Sequence, residues 1–297
     1  MTLELLLQHL VSGISLGSIY AFIAIGYTIV YGILKMVNVA QGSVFMLAGF
    51  LAMWGVYRYS LPWQVSLILA AALTVVAGVA IEKVAYRPLR DYKVCSFISA
   101  TAVAAILQNL VIILFTAVSK PFPQPAILNK TIHLGNVIIS SLHLFVMATC
   151  VISLFILNYL VTKTRAGRAM RALSEDMETT ELMGVDIDQV ISFAFALSAA
   201  FAAVGAFMWG WAFLSVDPFS GVIPGMKGLI GAVMGGVGSI PGALLGGFLL
   251  GLSEVMLVAL LPGLSSWRDV FAFSILIVFL LLRPGGLFNV RLTDEKV

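Results

Sequence analysis

The chain has 297 residues, of which 61% are hydrophobic and only 10% are charged, and its formal net charge at pH 7 is +3. Soluble domains carry roughly 25% charged residues, so a water-soluble core could not hide this much apolar surface. The apolar runs are long and continuous rather than alternating, which excludes a transmembrane β-barrel. The composition therefore predicts an all-α polytopic membrane protein with a single membrane domain over residues 1–297. The small net charge gives no indication of a nucleic-acid partner.

About eight apolar segments approach the roughly 20 residues that a helix needs to cross the hydrocarbon core. They lie at roughly 9–33, 40–58, 63–83, 95–118, 137–161, 189–213, 241–261 and 267–283. A further stretch, 225–239, is too short to cross comfortably and is rich in glycine. It predicts a short broken or re-entrant helix. The first residues lack the basic region of a signal peptide, so we expect the first span to be retained.

Lysine and arginine predict the orientation of the spans, because cytoplasmic loops carry an excess of both. We place the polar loop, defined as residues 162–188, in the cytoplasm. Twelve basic residues then fall on the cytoplasmic side and four fall outside, and Lys227 at the edge of the short segment completes the total of 17. This distribution predicts an N-terminus outside and a C-terminus in the cytoplasm.

Polar and small residues lie between two apolar runs in the stretch Met36–Phe50. In one interpretation, Asn38 caps the helix that follows. In the other, Asn38, Gln41 and Gly42 form an unwound junction that lines a path, because irregular backbone at membrane depth persists only beside protein or a water-filled cavity. We call Asn38–Gly42 the first junction.

The loop at 119–136 carries Pro121, Pro123 and Pro125. Alternate prolines favour extended backbone and oppose a helix. The loop is therefore either a rigid spacer or part of a docking surface for an extracytoplasmic protein.

The polar loop separates two apolar segments, and Ala169, Leu173 and Met177 recur in it at helical spacing, with Gly184 as a plausible stop. It is either a solvated connection or a short surface helix that docks into a groove on a cytoplasmic protein. The residues proposed for such a contact are Gly167, Arg168, Arg171, Glu175, Asp176, Leu182 and Gly184.

Glycines crowd the stretch Gly225–Glu254. They predict either close packing of helices or a helix broken at Val237–Pro241, which we call the second junction, with backbone groups facing a cavity. The residues proposed to line a path there are Gly236, Gly238, Ser239 and Pro241.

Glu254 is an acid within an apolar span and is therefore a functional candidate. We favour a structural pair with Arg268, and contact with the ammonium group of a substrate is the alternative. Lys227 either snorkels to the membrane surface or, like Glu254, serves as a structural or path charge. Apart from Glu254, we expect almost no buried ionisable side chain.

Residues for catalysis or metal binding are not evident. Cys95 and Cys150 lie in apolar surroundings and the three histidines are scattered, which predicts neither a disulfide nor a metal site. There is no Walker A motif, and the run GGVGS does not end in Gly-Lys-Ser/Thr. We therefore expect a protein that is not an enzyme, binds no metal or cofactor, and cannot hydrolyse ATP alone.

Three stretches together resemble one family. They are Gly17–Phe50 with its Ala40-Gln41-Gly42 triplet, the run RAGRAMRALSEDMETTELMGVD of the polar loop, and Gly225–Glu254 with the pattern GGVGSIPGA. The chain resembles the branched-chain amino-acid permeases of ABC importers, in particular the H-type subunit of the high-affinity leucine, isoleucine and valine importer.

The resemblance implies that the polar loop couples to an ATPase and that partner subunits use the ATP. The implied partners are a homologous second permease subunit, two cytoplasmic ATPases and an extracytoplasmic substrate-binding protein, in the bacterial inner membrane. An aliphatic amino acid would pass the first and second junctions. A permease for urea or short amides shares these motifs and is one alternative. A self-contained secondary transporter or channel is the other, and the coupling-like loop argues against it.

Overall fold

The structure is a computed structural model and describes residues 3–288 except 91, 135–136 and 284. Its helical content confirms the predicted all-α class. The α-helices are α1 (Leu3–Leu34), α2 (Gln41–Tyr59), α3 (Trp63–Ile81), α4 (Lys93–Phe115), α5 (Ser141–Lys163), α6 (Arg165–Glu175), α7 (Met177–Leu182), α8 (Ile187–Phe213), α9 (Val222–Gly235), α10 (Ile240–Leu260) and α11 (Arg268–Leu282). The short strands are β1 (Lys120–Pro121), β2 (Thr131–Leu134), β3 (Val137–Ser140) and β4 (Ser215–Val216).

Seven helical stretches in the described part of the chain are long and apolar enough to cross a membrane. They are Glu4–Leu34, Trp63–Leu89, Val94–Phe115, Ser141–Lys163, Ile187–Phe213, Ile240–Leu260 and Ser265–Leu282. The expected span at 40–58 does form a helix, α2, but it is not one of the seven, since Gln41, Ser43 and Arg58 lower its hydropathy. Helix α9 is the short apolar helix predicted near 225–239.

Helices α1 and α8 form the buried centre of the bundle, whereas α4, α5 and α11 present most of their surface outward. Small residues let the central helices approach closely, as is usual in membranes. A Cβ atom on Gly251 of α10 would overlap the backbone of Gly17 in α1, and one on Gly247 would crowd Ala21. Helices α1 and α10 therefore run antiparallel with their backbones nearly in contact.

The proline-containing loop at 119–136 is partly extended, as predicted. Strand β1 pairs antiparallel with β4, with Lys120 opposite Val216. The indole Nε1 of Trp211 in α8 donates to the Pro123 carbonyl at 3.1 Å, which ties the loop to the bundle. One 3₁₀ turn, Ala126–Asn129, begins after Pro125, so helical backbone returns directly after the prolines, contrary to our expectation. The role of this loop in docking stays a prediction.

The start of α5 differs from the predicted boundary. Residues Val137–Ser140 form β3 and pair antiparallel with β2, with Thr131 opposite Ser140. The helix therefore begins at Ser141 rather than Val137. The Ser140 hydroxyl accepts from the backbone N–H of Leu142 and caps it.

Candidate functional site

The polar loop is helical, as its spacing predicts, but it forms two short helices rather than one. Thr164 caps α6, with its Oγ1 accepting from the Gly167 N–H at 3.1 Å. Asp176 separates α6 from α7 and caps α7, with Oδ1 accepting from the Thr179 N–H at 3.1 Å and Oδ2 from the Thr179 hydroxyl at 2.5 Å. These hydrogen bonds from Thr179 lower the pKa of Asp176, because they favour its ionised form.

Helix α6 presses one face against the bundle. Met170 and Leu173 are buried, and a Cβ atom on Gly167 would overlap the carbonyl groups of Leu160 and Val161 at the end of α5. Gly167 is therefore a packing residue and lies away from the exposed face proposed for a partner. Other proposed contact residues remain on that face: Arg168, Arg171, Glu175 and Asp176.

The end of α7 exposes two apolar side chains. Leu182 and Met183 are 82% and 80% exposed. Gly184 follows with a φ of +83°, the left-handed conformation that glycine adopts at a helix end, as the sequence predicts. Adjacent exposed apolar side chains on an otherwise polar loop are a feature of interaction sites.

Asn38 of the first junction does not cap α2, contrary to the first interpretation. The residue that precedes α2 is Ala40, and no side chain caps this end. Instead the buried Asn38 Oδ1 accepts from the Ala40 N–H at 3.1 Å and from the Tyr86 hydroxyl at 2.7 Å. Asn38 Oδ1 therefore has one local partner, the Ala40 N–H, and one distant partner, the hydroxyl of Tyr86 in the turn that follows α3.

Gln41 lies inside the bundle. Its Nε2 donates to the Ser198 carbonyl at 3.2 Å, and its Oε1 lies 3.0 Å from the Ser198 hydroxyl. Ser198 also donates to the carbonyl of Gly26 in α1. Gly26 and Ser198 lie within α1 and α8 rather than at their ends. The first junction therefore lies inside the bundle, and α2 begins there.

The segment between α8 and α9 also runs within the bundle. Val216 lies beside Gly49 of α2, and Gly221 lies beside Gly42, so the chain runs back along α2 from Gly49 to Gly42. Helix α9 then begins next to the first junction. The prediction of a short apolar helix in this region is confirmed, since α9 has 14 residues.

The second junction is broken as predicted. Gly236 and Gly238 have φ values of 102° and 99°, which side-chain-bearing residues rarely adopt. The Ser239 hydroxyl caps α10 by accepting from the Gly242 N–H at 3.2 Å, and Pro241 lies in the first turn.

Two carbonyl groups at the end of α9, just before the second junction, are hydrogen-bonded within the chain. The N–H of Leu287 donates to the Met234 carbonyl at 2.9 Å, and that of Phe288 donates to the Gly235 carbonyl at 3.3 Å. The chain after α11 therefore satisfies the end of α9. The exposed Gly238 lies beside Gly32 of α1, so the two junctions lie at opposite ends of α9.

Glu254 belongs to a cluster of charges that we call the Glu254 cluster: Lys227, Glu254, Arg268 and Asp269. The Lys227 ammonium lies 2.8 Å from Glu254 Oε1 and 2.7 Å from Asp269 Oδ1. Arg268 Nε is 3.5 Å from Glu254 Oε1, so the predicted pair exists but is the longer one. The Tyr20 hydroxyl donates to Glu254 Oε2 at 2.9 Å.

Lys227 does not snorkel. Its side chain is only 2% exposed and its ammonium group lies 5.5 Å from the centre of the Tyr20 ring. The prediction failed because both carboxylate partners lie on other helices, where local sequence does not place them.

A second cluster, the Glu82 cluster, comprises Glu82, Arg87, Arg90 and Asp188. Arg87 Nε lies 3.2 Å from Glu82 Oε1, and the Ser192 hydroxyl donates to Glu82 Oε2 at 2.6 Å. Arg90 Nη2 lies 2.6 Å from Asp188 Oδ1. The Glu82 side chain is only 1% exposed, so the expectation that Glu254 would be almost the sole buried ionisable group is wrong. An acid followed by arginines five and eight residues later was the available signal.

Comparisons with known proteins agree with these features. Residues 9–280 match the family model described as "Branched-chain amino acid transport system / permease component". The chain is 38% identical to the "High-affinity branched-chain amino acid transport system permease protein BraD" of Pseudomonas aeruginosa, over 98% of each chain. It is 35% identical to the corresponding LivH protein of Escherichia coli K12, over 98% of this chain and 97% of that one.

The solved structure "PsaBC from Streptococcus pneumoniae in complex with Fab" contains a chain with a similar fold. The TM-score is 0.53 at 13% identity, and the match covers 95% of this chain and 92% of that one. At this identity the likeness concerns the fold alone.

Proposed function

Because the chain belongs to the family of branched-chain amino acid transport system permease components, we propose that it carries aliphatic amino acids inward through the inner membrane as one permease subunit of an ABC importer. The observation that carries this proposal is 38% identity over 98% of both chains to a branched-chain amino acid permease. Family membership favours this function over a self-contained secondary transporter or channel.

The polar loop would couple transport to ATP hydrolysis. Leu182 and Met183 would enter a groove on an ATPase subunit and leave water on binding, which is favourable for apolar surface. Arg168, Arg171 and Glu175 on the exposed face of α6 would fix the orientation, since charges at an interface favour specificity. Two ATPase subunits would use the ATP, and this chain would bind no cofactor or metal of its own.

A second, homologous permease subunit would cover the exposed side of α9. The segment Val216–Gly221 is non-helical yet runs along α2 inside the bundle. Irregular backbone at membrane depth persists only against protein or water. Phe219, Val222 and Met226 are nevertheless about half exposed in the isolated chain. A partner permease, forming a heterodimer with the path between the two chains, would remove this conflict.

The distribution of lysine and arginine supports the proposal that the polar loop faces the cytoplasm and the N-terminus lies outside. The loop at 119–136 would then face an extracytoplasmic substrate-binding protein. Thiol labelling tests this orientation with single cysteines at Asn129 and Ser174, in a chain without Cys95 and Cys150. An impermeant reagent added to intact cells should label the first and not the second, and the reverse pattern would refute the orientation.

The path itself would pass both junctions. A zwitterionic substrate needs polar partners at every depth, because an unpaired charge in a low-dielectric medium is costly. Gln41, Gly42 and Asn38 border one end of α9, and Gly236, Gly238, Ser239 and Pro241 border the other. Glu254 and Lys227 neutralise each other and would serve as structural charges rather than as substrate ligands.

Uptake by the reconstituted complex tests the substrate class. The chain, its copurified permease partner, the ATPases and the binding protein are placed in liposomes with ATP inside. We expect uptake of labelled leucine, isoleucine and valine, with urea and ribose as controls. Uptake of urea without leucine would refute the substrate while leaving the permease assignment intact.

A further inference from the structure

Helix α3 ends in an irregular turn that lies between the polar loop and the first junction. Residues Glu82–Tyr86 form a π-helical turn, and Arg87–Leu89 continue it as a 3₁₀ turn that contains Pro88. π-Helical turns are rare and occur frequently at functional sites. Neighbouring side chains of this turn have two sets of partners, and each set belongs to a different part of the proposed transport machinery.

Two arginines, Arg87 in the 3₁₀ turn and Arg90 just after it, contact the exit of the polar loop. Asp188 lies in the first turn of α8, four residues after Gly184. Arg90 Nη2 lies 2.6 Å from Asp188 Oδ1, and Arg87 Nη1 lies 3.2 Å from Asp188 Oδ2. The same two arginines face the buried Glu82 carboxylate, at 3.2 Å for Arg87 and 4.0 Å for Arg90. A displacement of Asp188 therefore acts directly on the π-helical turn.

The residue directly before Arg87, Tyr86, contacts the first junction. The buried Tyr86 hydroxyl donates to Asn38 Oδ1 at 2.7 Å. The ring of Tyr86 packs against Phe195 of α8, with 5.0 Å between ring centres. The Asn38 oxygen that accepts from Tyr86 also accepts from the Ala40 N–H, directly before α2. A rotation of the turn would thus change the hydrogen bond that fixes Asn38 and the start of α2.

We propose that the π-helical turn Glu82–Tyr86 transmits movement of the polar loop to the first junction, with Asp188, Glu82 and Tyr86 as positioning residues. The proposal rests on the function proposed above. A role in stability alone explains the contacts less well, because a buried ion pair contributes little compared with apolar packing of similar volume. A bidentate arginine contact is directional, and a series of such contacts can pass a displacement from one site to another.

Two conservative variants test this inference in the reconstituted complex. Tyr86→Phe removes the hydroxyl that donates a hydrogen bond to Asn38. Asp188→Asn removes the negative charge that faces Arg87 and Arg90. The measurement is leucine taken up per ATP hydrolysed. We expect each variant to hydrolyse ATP while this ratio falls by about three- to tenfold, the loss that corresponds to about one hydrogen bond. The ratio of leucine to ATP in the double variant should equal that of the more impaired single variant. Both changes interrupt one series of contacts, so their effects should not add.

Tyr20→Phe is the matched control, since it also removes a buried hydroxyl bonded to a polar side chain, but in the Glu254 cluster. Its ratio should equal that of the wild type. The inference is overturned by a wild-type ratio in either test variant, by losses that multiply in the double variant, or by an equal loss in Tyr20→Phe. If the unaltered complex takes up no leucine, the proposed function fails instead, so the two failures are distinguishable.

Discussion

The two charge clusters resemble each other in composition and differ in what they join. Each holds two cations and two carboxylates, and in each one carboxylate is almost fully buried: Glu82 at 1% and Glu254 at 3% side-chain exposure. In the Glu82 cluster the other members stay partly open, with Asp188 45% exposed. In the Glu254 cluster Arg268 and Asp269 are also partly open, at 50% and 41%, but the cation Lys227 is itself buried, at 2%.

This difference separates a movable connection from a fixed anchor. The arginines of the Glu82 cluster lie on or next to a short irregular turn beside the exit of the polar loop. They are partly exposed, so water can solvate their charges if the turn moves slightly. The Glu254 cluster joins α9 to α10 and α11 through the ammonium group of Lys227. Helix α9 has only 14 residues with which to hold its own position, so this contact helps to fix it. A displacement there would leave charges unpaired away from water, which opposes movement.

The largest expected effect comes from Lys227→Met. It leaves the buried Glu254 with the Tyr20 hydrogen bond and the longer Arg268 contact as its remaining partners, and breaking a buried pair at one partner costs about 3–5 kcal/mol. Thermal unfolding of the purified complex should show a marked fall in midpoint temperature. The double variant Lys227→Met with Glu254→Gln removes both charges and should recover most of the loss. A wild-type midpoint in the single variant would show that this cluster is not an anchor.

Glu82→Gln should destabilise less, by about 1–3 kcal/mol, because the amide keeps the shape and the partly open arginines retain water and Asp188. Its main effect should be a lower yield of leucine per ATP. Lys83→Gln is the control, since it changes an exposed charge at the neighbouring position of the same turn. A loss of stability as large as that of Lys227→Met would remove the distinction between the clusters.

Changes at the end of α7 should affect coupling and leave stability nearly unchanged. Leu182→Ser with Met183→Ser removes the exposed apolar pair, and surface changes of this kind are usually within about 0.5 kcal/mol. We expect ATPase stimulation by the loaded binding protein to be lost. Val118→Ser, a similarly exposed apolar residue before strand β1, should keep it. Equal behaviour of the two would mean that the polar loop merely connects α5 to α8.

The smallest expected effect concerns pH at the cap of α7. The pKa of Asp176 is lowered in the folded protein by its hydrogen bonds from Thr179. The contribution of this cap is therefore present above the ordinary aspartate pKa and is lost as the pH falls through the lowered folded value. Hydrogen exchange at the Thr179 N–H should stay protected to an acidic pH in the wild type. In Asp176→Asn, protection of the Thr179 N–H should no longer depend on the ionisation of residue 176. The same pH profile of exchange in wild type and variant would contradict the role of Asp176 as the cap.

Local chemistry predicted part of this structure well. The break at the second junction follows from glycines at Gly236 and Gly238, and the end of α7 follows from Gly184, since each needs a positive φ that glycine adopts freely. Membrane-spanning helices follow from length and hydropathy, which depend on one segment at a time. The polar loop followed from composition, although its division at Asp176 did not.

Contacts between distant segments were not predictable in the same way. The sequence around Asn38 predicts a helix cap, but its oxygen accepts from the Ala40 N–H and from Tyr86, 48 residues away. Lys227 reads as a snorkelling residue because its carboxylate partners lie on α10 and α11. Glu82 was missed because its partner Ser192 in α8 is 110 residues away, although the arginines five and eight residues later were a local signal. In each case a partner that is distant in the sequence, and is brought close by tertiary packing, decides the conformation of the side chain.

The most direct test of the account compares Glu82→Gln with Lys227→Met/Glu254→Gln in the reconstituted importer, measuring leucine taken up per ATP hydrolysed together with the unfolding midpoint. The account predicts that the Glu82 variant lowers the amount of leucine taken up per ATP several-fold and lowers the unfolding midpoint only modestly. The Glu254-cluster variant should keep the wild-type ratio of leucine to ATP. Equal ratios in the two variants, or a loss confined to the Glu254-cluster variant, would contradict it.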